Sequence, residues 1–144
     1  MKKLMILPAL FFSLYCSAQK EVKVKESAVP AAVKTAVTTK YPSVKVETWT
    51  LENGNYEAEF DVNSKETSLL VKADGTVLET ETEVAVSELP QAAQDYVAKN
   101  FAGKKIKEAS KIVAADGTVT YEAEVNGKDQ IFDANGTFLK TETE

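Results

Sequence analysis

The sequence predicts an α+β fold made of one unit used twice, a helix followed by a four-stranded antiparallel meander. Two similar blocks, residues 27–83 and 84–144, carry the same signals in the same order, which indicates a tandem repeat. Within each block, apolar residues at helical spacing give way to apolar residues that alternate with acidic ones. Most of the six glycines follow Asn or Asp, a pair that is typical of tight hairpin turns.

Residues 1–18 have the pattern of a signal peptide. A positively charged start precedes an apolar run from Leu4 to Tyr15, and Cys16-Ser17-Ala18 then supplies small residues for cleavage after Ala18. The run is too short to cross a bilayer, which takes about 20 apolar residues. We predict export without membrane insertion. A lipoprotein anchored through Cys16 is the alternative, although the bulky Tyr15 disfavours it.

The helices are predicted from their caps and their apolar spacing. Residues 19–26 precede the first block and are predicted to be a flexible leader, with a short edge strand as the alternative. Ser27 and Ser87 are favourable N-caps, and Pro30 and Pro90 fit the first turn, where an amide hydrogen is not needed. Each helix then presents one apolar stripe, formed by Val29, Val33, Ala36, Val37 and Tyr41 in the first block and by Leu89, Ala93, Tyr96, Val97 and Phe101 in the second.

The strands are predicted from alternation between the turns. We place them at residues 44–52, 55–62, 67–72 and 76–83, and then at 105–115, 118–126, 128–133 and 137–143. A single block of this size buries only about 60% of its chain surface and is marginally stable on its own. We therefore expect the two sheets to join edge to edge into one larger antiparallel sheet with both helices on one face. Packing of the two helices on each other is the alternative.

Composition excludes several classes of function. Loss of the signal peptide lowers Lys plus Arg from 17 to 15 against 22 acidic residues, so the net charge falls from −5 to −7. Such a chain repels phosphate backbones, which argues against a nucleic-acid partner. Histidine is absent, the single cysteine lies in the signal peptide, and no P-loop or dinucleotide motif occurs. We predict no catalytic residues and no cofactor.

Acidic side chains alternate along the strands and are the main candidates for binding. A solvated face of an open sheet is the simplest explanation of this pattern. Calcium binding or acid–base chemistry would require the carboxylates to converge, and the Asp-Gly-Thr turns at 74–76 and 116–118 lack the further ligands of a calcium loop, so no metal site is predicted. The candidates are Glu57, Glu59, Glu79, Glu81, Glu122 and Glu124.

Trp49 is the other candidate for binding. It is the only tryptophan, and a strand would place it on the same side as Leu51 and opposite Val44 and Val46. One of these two pairs should face the core, so Trp49 is either a core residue or an exposed contact anchor of the kind that is frequent in interfaces.

The combination of these motifs resembles a known family. An exported chain with a tandem unit, in which a helix with Ser-x-x-Pro at its start is followed by a four-stranded meander that ends in Asp-Gly-Thr-Val-Leu-Glu, resembles the PepSY-like proteins of Bacteroidetes. Their fold is similar to that of the β-lactamase inhibitor protein, which covers an enzyme with a concave sheet. The resemblance implies a periplasmic or secreted protein that is not an enzyme. No inhibitory contact residue of these proteins can be matched to a position in this chain.

These observations lead to a functional expectation. We expect a non-enzymatic binding protein that inhibits or modulates another protein of the envelope or outside the cell, through the sheet face that carries no helix. An acidic face favours a basic partner. The alternative is an envelope protein that binds a small ligand or a cation, and the oligomeric state is left open.

Overall fold

The computed structural model describes residues 22–143 of the chain as one antiparallel sheet of nine strands and two ten-residue helices. The helices are α1 (Ala31–Lys40) and α2 (Gln91–Asn100). The strands are β1 (Val22–Lys23), β2 (Thr48–Glu52), β3 (Asn55–Val62), β4 (Lys65–Lys72), β5 (Val77–Glu83), β6 (Ile106–Ala114), β7 (Val119–Val125), β8 (Asp129–Asp133) and β9 (Phe138–Glu142). In the described part, neither helix has the length or the apolar character that a bilayer crossing requires. The predicted cleavage site lies outside the described residues.

The order of the strands in the sheet is their order in the chain. In β5 and β6, Thr80 pairs with Val113 and Thr82 with Lys111, so one continuous sheet contains the strands of both blocks. The prediction of a single joined antiparallel sheet is therefore confirmed. Within residues 22–143, each helix is followed by four strands, and α2 lies in the connection between β5 and β6.

The leader prediction is wrong for residues 22 and 23, which form the edge strand β1. Val22 pairs with Leu51 and Lys23 with Thr50 on β2. The next amide, that of Val24, donates a hydrogen bond to the carbonyl of Trp49 at 2.9 Å. These bonds satisfy backbone groups that a free leader would leave to solvent, so the alternative of a short edge strand is the correct one.

Both helices begin later than their N-caps predicted. Ser27 lies in a 3-10 turn, Glu26–Ala28, and its counterpart Ser87 lies in the turn Val86–Glu88; neither is a helix cap. The reason is the proline in each block. A residue before proline is pushed out of the α region, and Val29 accordingly has a ψ of 129°. Each helix then starts after its proline, with Pro30 and Pro90 at the N-cap position.

Two apolar clusters form the core, one under each helix. α1 contributes Val33 and Val37, and α2 contributes Ala93 and Val97. Burial of a side chain of valine size or larger stabilises the fold by about 1.5–3 kcal/mol. The sheet residues of the α1 cluster are Trp49, Ala58, Phe60, Leu69 and Val71, and those of the α2 cluster are Ala109, Ala123, Val125 and Phe132.

The turn between β8 and β9 packs directly against the start of α2. One carboxylate oxygen of Asp133 accepts the amides of Asn135 at 2.8 Å and Thr137 at 2.9 Å, and these bonds lower the pKa of Asp133. Gly136 has a φ of +84°, and a Cβ there would lie 2.7 Å from the backbone nitrogen of Ala93. Turn and helix are thus in contact backbone to backbone, which only glycine allows.

Candidate functional site

The six predicted glutamates lie on one side of the sheet, which we call the acidic face: Glu57, Glu59, Glu79, Glu81, Glu122 and Glu124. Along β3, they alternate with Ala58 and Phe60, which belong to the α1 cluster. Across the strands, Glu59 pairs with Ser68, and Ser68 pairs with Glu81. In the same way, Glu83 pairs with Ser110, and Ser110 pairs with Glu122. Register therefore unites acids from both halves of the chain.

Further acids extend this face at the β3–β4 end. Asp61 pairs with Glu66, next to the position of Glu83 on β5. Partial burial raises the pKa of Glu66, and the neighbouring charges of Glu59, Glu83 and other acids raise it further. Repulsion among carboxylates on adjacent strands disfavours their charged forms. This end of the acidic face therefore carries a cluster of negative charge, whereas Glu124, on β7, forms an ion pair with Lys107 at 3.0 Å.

The sheet curls toward the acidic face. Burial raises the pKa of Glu79, the charge of Glu142 raises it further, and Lys140 acts in the opposite direction. Glu79 lies on β5 and the other two lie on β9, four strands away. In a flat sheet that separation would be about 19 Å, well beyond the screening length of about 10 Å in ordinary buffer. The interaction of these charges across four strands therefore indicates that the sheet is concave on this side.

Glu81 lies within this concavity. Burial raises its pKa, and a hydrogen bond from Ser110 acts in the opposite direction. The charges of Glu57, Glu79 and Asp129 raise the pKa of Glu81 further, although these residues come from β3, β5 and β8. A positive group brought to this place would relieve the repulsion between carboxylates.

The acids do not converge as metal ligands. Among residues 22–143, no group of three or more His, Cys, Asp or Glu side chains is arranged to hold a metal ion. The carboxylate of Asp74 instead accepts the amide of Thr76 at 2.9 Å, and that of Asp116 accepts the amide of Thr118 at 2.8 Å. Both aspartates close their own hairpin turns, as the turn interpretation predicted.

Trp49 lies in the core and not on the acidic face. Its side chain is 7% exposed and belongs to the cluster under α1. Val44 and Val46 also pack against that cluster, because β2 begins only at Thr48 and the residues before it do not follow strand alternation. The indole N–H of Trp49 has no acceptor among the described residues. The contact-anchor interpretation of Trp49 is therefore excluded, and the core interpretation is correct.

A second concave feature was not predicted. A groove of about 460 Å³, which we call the lysine groove, lies on the side of the sheet opposite the acidic face, at the end of α1. Its lysines come from three elements that are far apart in sequence, so no local motif indicates it. The groove is lined by Lys40, Tyr41, Lys65, Thr80, Thr82, Val84, Glu88, Lys111 and Val113.

The fold and the acidic face define a class of small α+β proteins with one curled antiparallel sheet. The sequence model of one family, described as "Putative beta-lactamase-inhibitor-like, PepSY-like", matches residues 16–79 and 56–140. The chain belongs to this PepSY-like family, as the resemblance implied. Among curated proteins, no relative matches the chain.

Solved structures from Bacteroides share the fold. A protein of B. eggerthii, described as "putative periplasmic", aligns with a TM-score of 0.71 and 18% identity over 79% of this chain and 88% of its own. A DUF2874 family protein of B. uniformis aligns with a TM-score of 0.69 and 18% identity over 78% and 87%. A BLIP-like protein of B. fragilis aligns with a TM-score of 0.63 and 21% identity over 78% and 85%. At these identities the likeness establishes the fold alone.

Proposed function

We propose that this protein is a non-enzymatic binding protein of the periplasm that modulates another envelope or secreted protein through its acidic face. The observation that carries the proposal is the joining of acids from β3, β5 and β7 into one curled face. In the part of the chain that the structure describes, the residues under α1 and α2 alternate with these acids and point the other way. The acidic face is thus left for a partner.

The same register supports both helices lying on one face of a tandem repeat. Leu69, in the α1 cluster, pairs with Thr80, and Thr80 pairs with Val113 on β6. Val113 shares its side of β6 with Ala109, which belongs to the α2 cluster. If both helices cover the same side of the sheet, the opposite, concave side can be buried only by a partner molecule.

The comparisons support the location and the mode of binding. The described B. eggerthii neighbour is named as periplasmic, and the B. fragilis neighbour is named as BLIP-like. The family description likewise names a likeness to β-lactamase inhibitors. A role as an inhibitor or modulator follows from this likeness as a proposal for the present chain.

Electrostatics define the kind of partner. Repulsion on the acidic face is relieved when Lys or Arg side chains enter it, so the partner should present a basic convex surface. Opposite fields also speed the encounter, and salt weakens this effect because the screening length falls from about 10 Å at 0.1 M to about 3 Å at 1 M.

The test is capture from the native envelope fraction with three forms of the protein. These are the wild type, the face variant Glu59→Gln/Glu81→Gln, and the control Glu26→Gln/Asp95→Asn, whose two acids belong to the helix-bearing segments. The proposal expects one protein that wild type and control retain, that the face variant retains several-fold less, and that 1 M salt releases. Binding of that purified protein to all three forms with equal affinity would refute the role of the acidic face.

A further inference from the structure

The lysine groove lies where the two halves of the sheet meet. Its floor is the β5–β6 pair, in which Thr80 faces Val113 and Thr82 faces Lys111. The end of α1 and the 3-10 turn Val86–Glu88 form its sides. Its volume of about 460 Å³ falls within the range of about 300–1,000 Å³ that is usual for sites of small molecules.

The groove is positively charged in a chain that is acidic overall. Lys65 pairs with Glu88 at 3.4 Å, and Glu88 also accepts the amide of Ala85 at 2.8 Å, which lowers the pKa of Glu88. Lys40 donates to the hydroxyl of Thr80 at 2.8 Å. Within residues 22–143, neither Lys40 nor Lys111 forms an ion pair. Two ammonium groups thus retain donors for an anion.

The remaining lining combines apolar and hydroxyl groups. Tyr41 is fixed by contact with Phe60, with the ring centroids 4.9 Å apart. Val84 and Val113 add aliphatic surface, and Thr82 adds a hydroxyl. A few polar groups placed in an apolar lining are the usual composition of a small-molecule site.

The fold itself does not require these lysines. The last residue of α2 is Asn100, where α1 ends in Lys40, and its amide donates to the carbonyl of Tyr96 at 2.8 Å. Thr141 corresponds to Thr80, yet its hydroxyl donates to Gln130 at 2.8 Å. The second half of the chain folds in the same way without a lysine at this place.

We propose that the lysine groove binds a small organic carboxylate, with the carboxylate between Lys40 and Lys111 and its apolar part against Tyr41 and Val113. Inorganic phosphate fits less well, because it has no apolar part to contact Tyr41, Val84 and Val113. α1 reaches the groove with its C-terminus, so the two ammonium groups, and not a helix N-terminus, supply the positive charge.

The test is a titration of the ¹⁵N-labelled protein with sodium phenylacetate at constant ionic strength, followed through amide chemical shifts. Shifts that saturate are expected at Tyr41, Thr82 and Lys111. Lys111→Gln should weaken binding about tenfold, as loss of a hydrogen bond to a charged group does. Lys99→Gln, in the last turn of α2, is the matched control and should bind as the wild type does.

Three results would overturn the proposal: shifts spread over lysines outside the groove, equal affinity in Lys111→Gln, or inorganic phosphate binding at the same residues as tightly as phenylacetate. If Lys111→Gln loses the dispersed spectrum of a folded protein, Lys40→Gln takes its place, since Lys40 is exposed at the helix end. Glu59→Gln/Glu81→Gln should bind phenylacetate normally, so this test is independent of the acidic face.

Discussion

Replacement of Gly136 by alanine should destabilise the protein far more than the same change at Gly117. Both glycines have a positive φ, +84° and +86°, in comparable turns. An alanine Cβ at 136 would lie 2.7 Å from the nitrogen of Ala93 and 2.9 Å from the Cβ of Pro90, whereas at 117 it would meet no atom within 4 Å. The pair of variants therefore separates backbone strain from steric conflict.

The magnitudes follow from these two costs. An alanine at positive φ costs about 1–2 kcal/mol, and Gly117→Ala should lose only that. Gly136→Ala adds an overpacked contact that costs about 1–3 kcal/mol, which gives about 2–5 kcal/mol in total. At roughly 4 °C per kcal/mol for a chain of this size, the melting temperature should fall by about 4–8 °C for Gly117→Ala and by about 8–20 °C for Gly136→Ala.

The assay is equilibrium unfolding in urea, followed by the fluorescence of Trp49 and by circular dichroism. Coincident transitions with an unchanged m value would show that the variants alter stability and not the unfolded state. If Gly136→Ala and Gly117→Ala proved equally stable, the backbone contact between the β8–β9 turn and α2 would be wrong. A smaller effect at Gly136 would have the same meaning.

Three further outcomes are expected. Trp49 should emit at short wavelength with little acrylamide quenching. Trp49→Phe should change the free energy of unfolding by less than about 1 kcal/mol, because the indole N–H has no acceptor among the described residues, whereas Trp49→Ala should cost about 3–5 kcal/mol. A loss below about 1 kcal/mol in Trp49→Ala would contradict the core position of Trp49. The raised pKa of Glu81 lets the folded state hold this proton to higher pH than the unfolded state does, so the contribution of Glu81 to stability is lost as pH rises above the ordinary pKa of about 4.3. Glu81→Gln should therefore raise the melting temperature at pH 7 and flatten the rise of the melting temperature toward acid pH. An unaltered pH profile in Glu81→Gln would oppose this. Calcium at about 1 mM should leave the melting temperature unchanged, since residues 22–143 offer no convergent metal ligands, and a clear rise would revive the cation alternative.

Strand positions were predictable from sequence because turns and alternation are local signals. The Asn53-Gly54 pair and the run that follows it predicted β3 at its observed bounds of Asn55–Val62. The start of β4 was missed by two residues, because its turn uses Asn63 and Ser64 at φ of 53° and 62° and contains no glycine. Because this turn has the positive φ angles of a tight hairpin turn but lacks the glycine that usually provides them, its position was harder to predict from the sequence.

The helix starts and the two concave surfaces differ in how far short sequence patterns could predict them. Pro30 indicates by itself that Val29 is not helical, because a residue before proline is disfavoured in the α region. The prediction of Ser27 as the N-cap was wrong because a helix that begins after Ser27 would have to include Val29. The acidic face was predictable, since alternation alone puts glutamates on one side. The lysine groove was not predictable, because Lys40 and Lys111 come to line one groove only through the register of β5 with β6.

The sequential order of the strands has a consequence for how the molecule forms. Within residues 22–143, every strand pairs only with its neighbours in the chain, so each new pairing closes only the loop between two successive strands. The two widest gaps are the β1–β2 and β5–β6 connections, which contain α1 and α2. A chain that emerges N-terminus first can therefore add strands to a growing sheet in the order in which they appear, and the first half can be complete before the second begins.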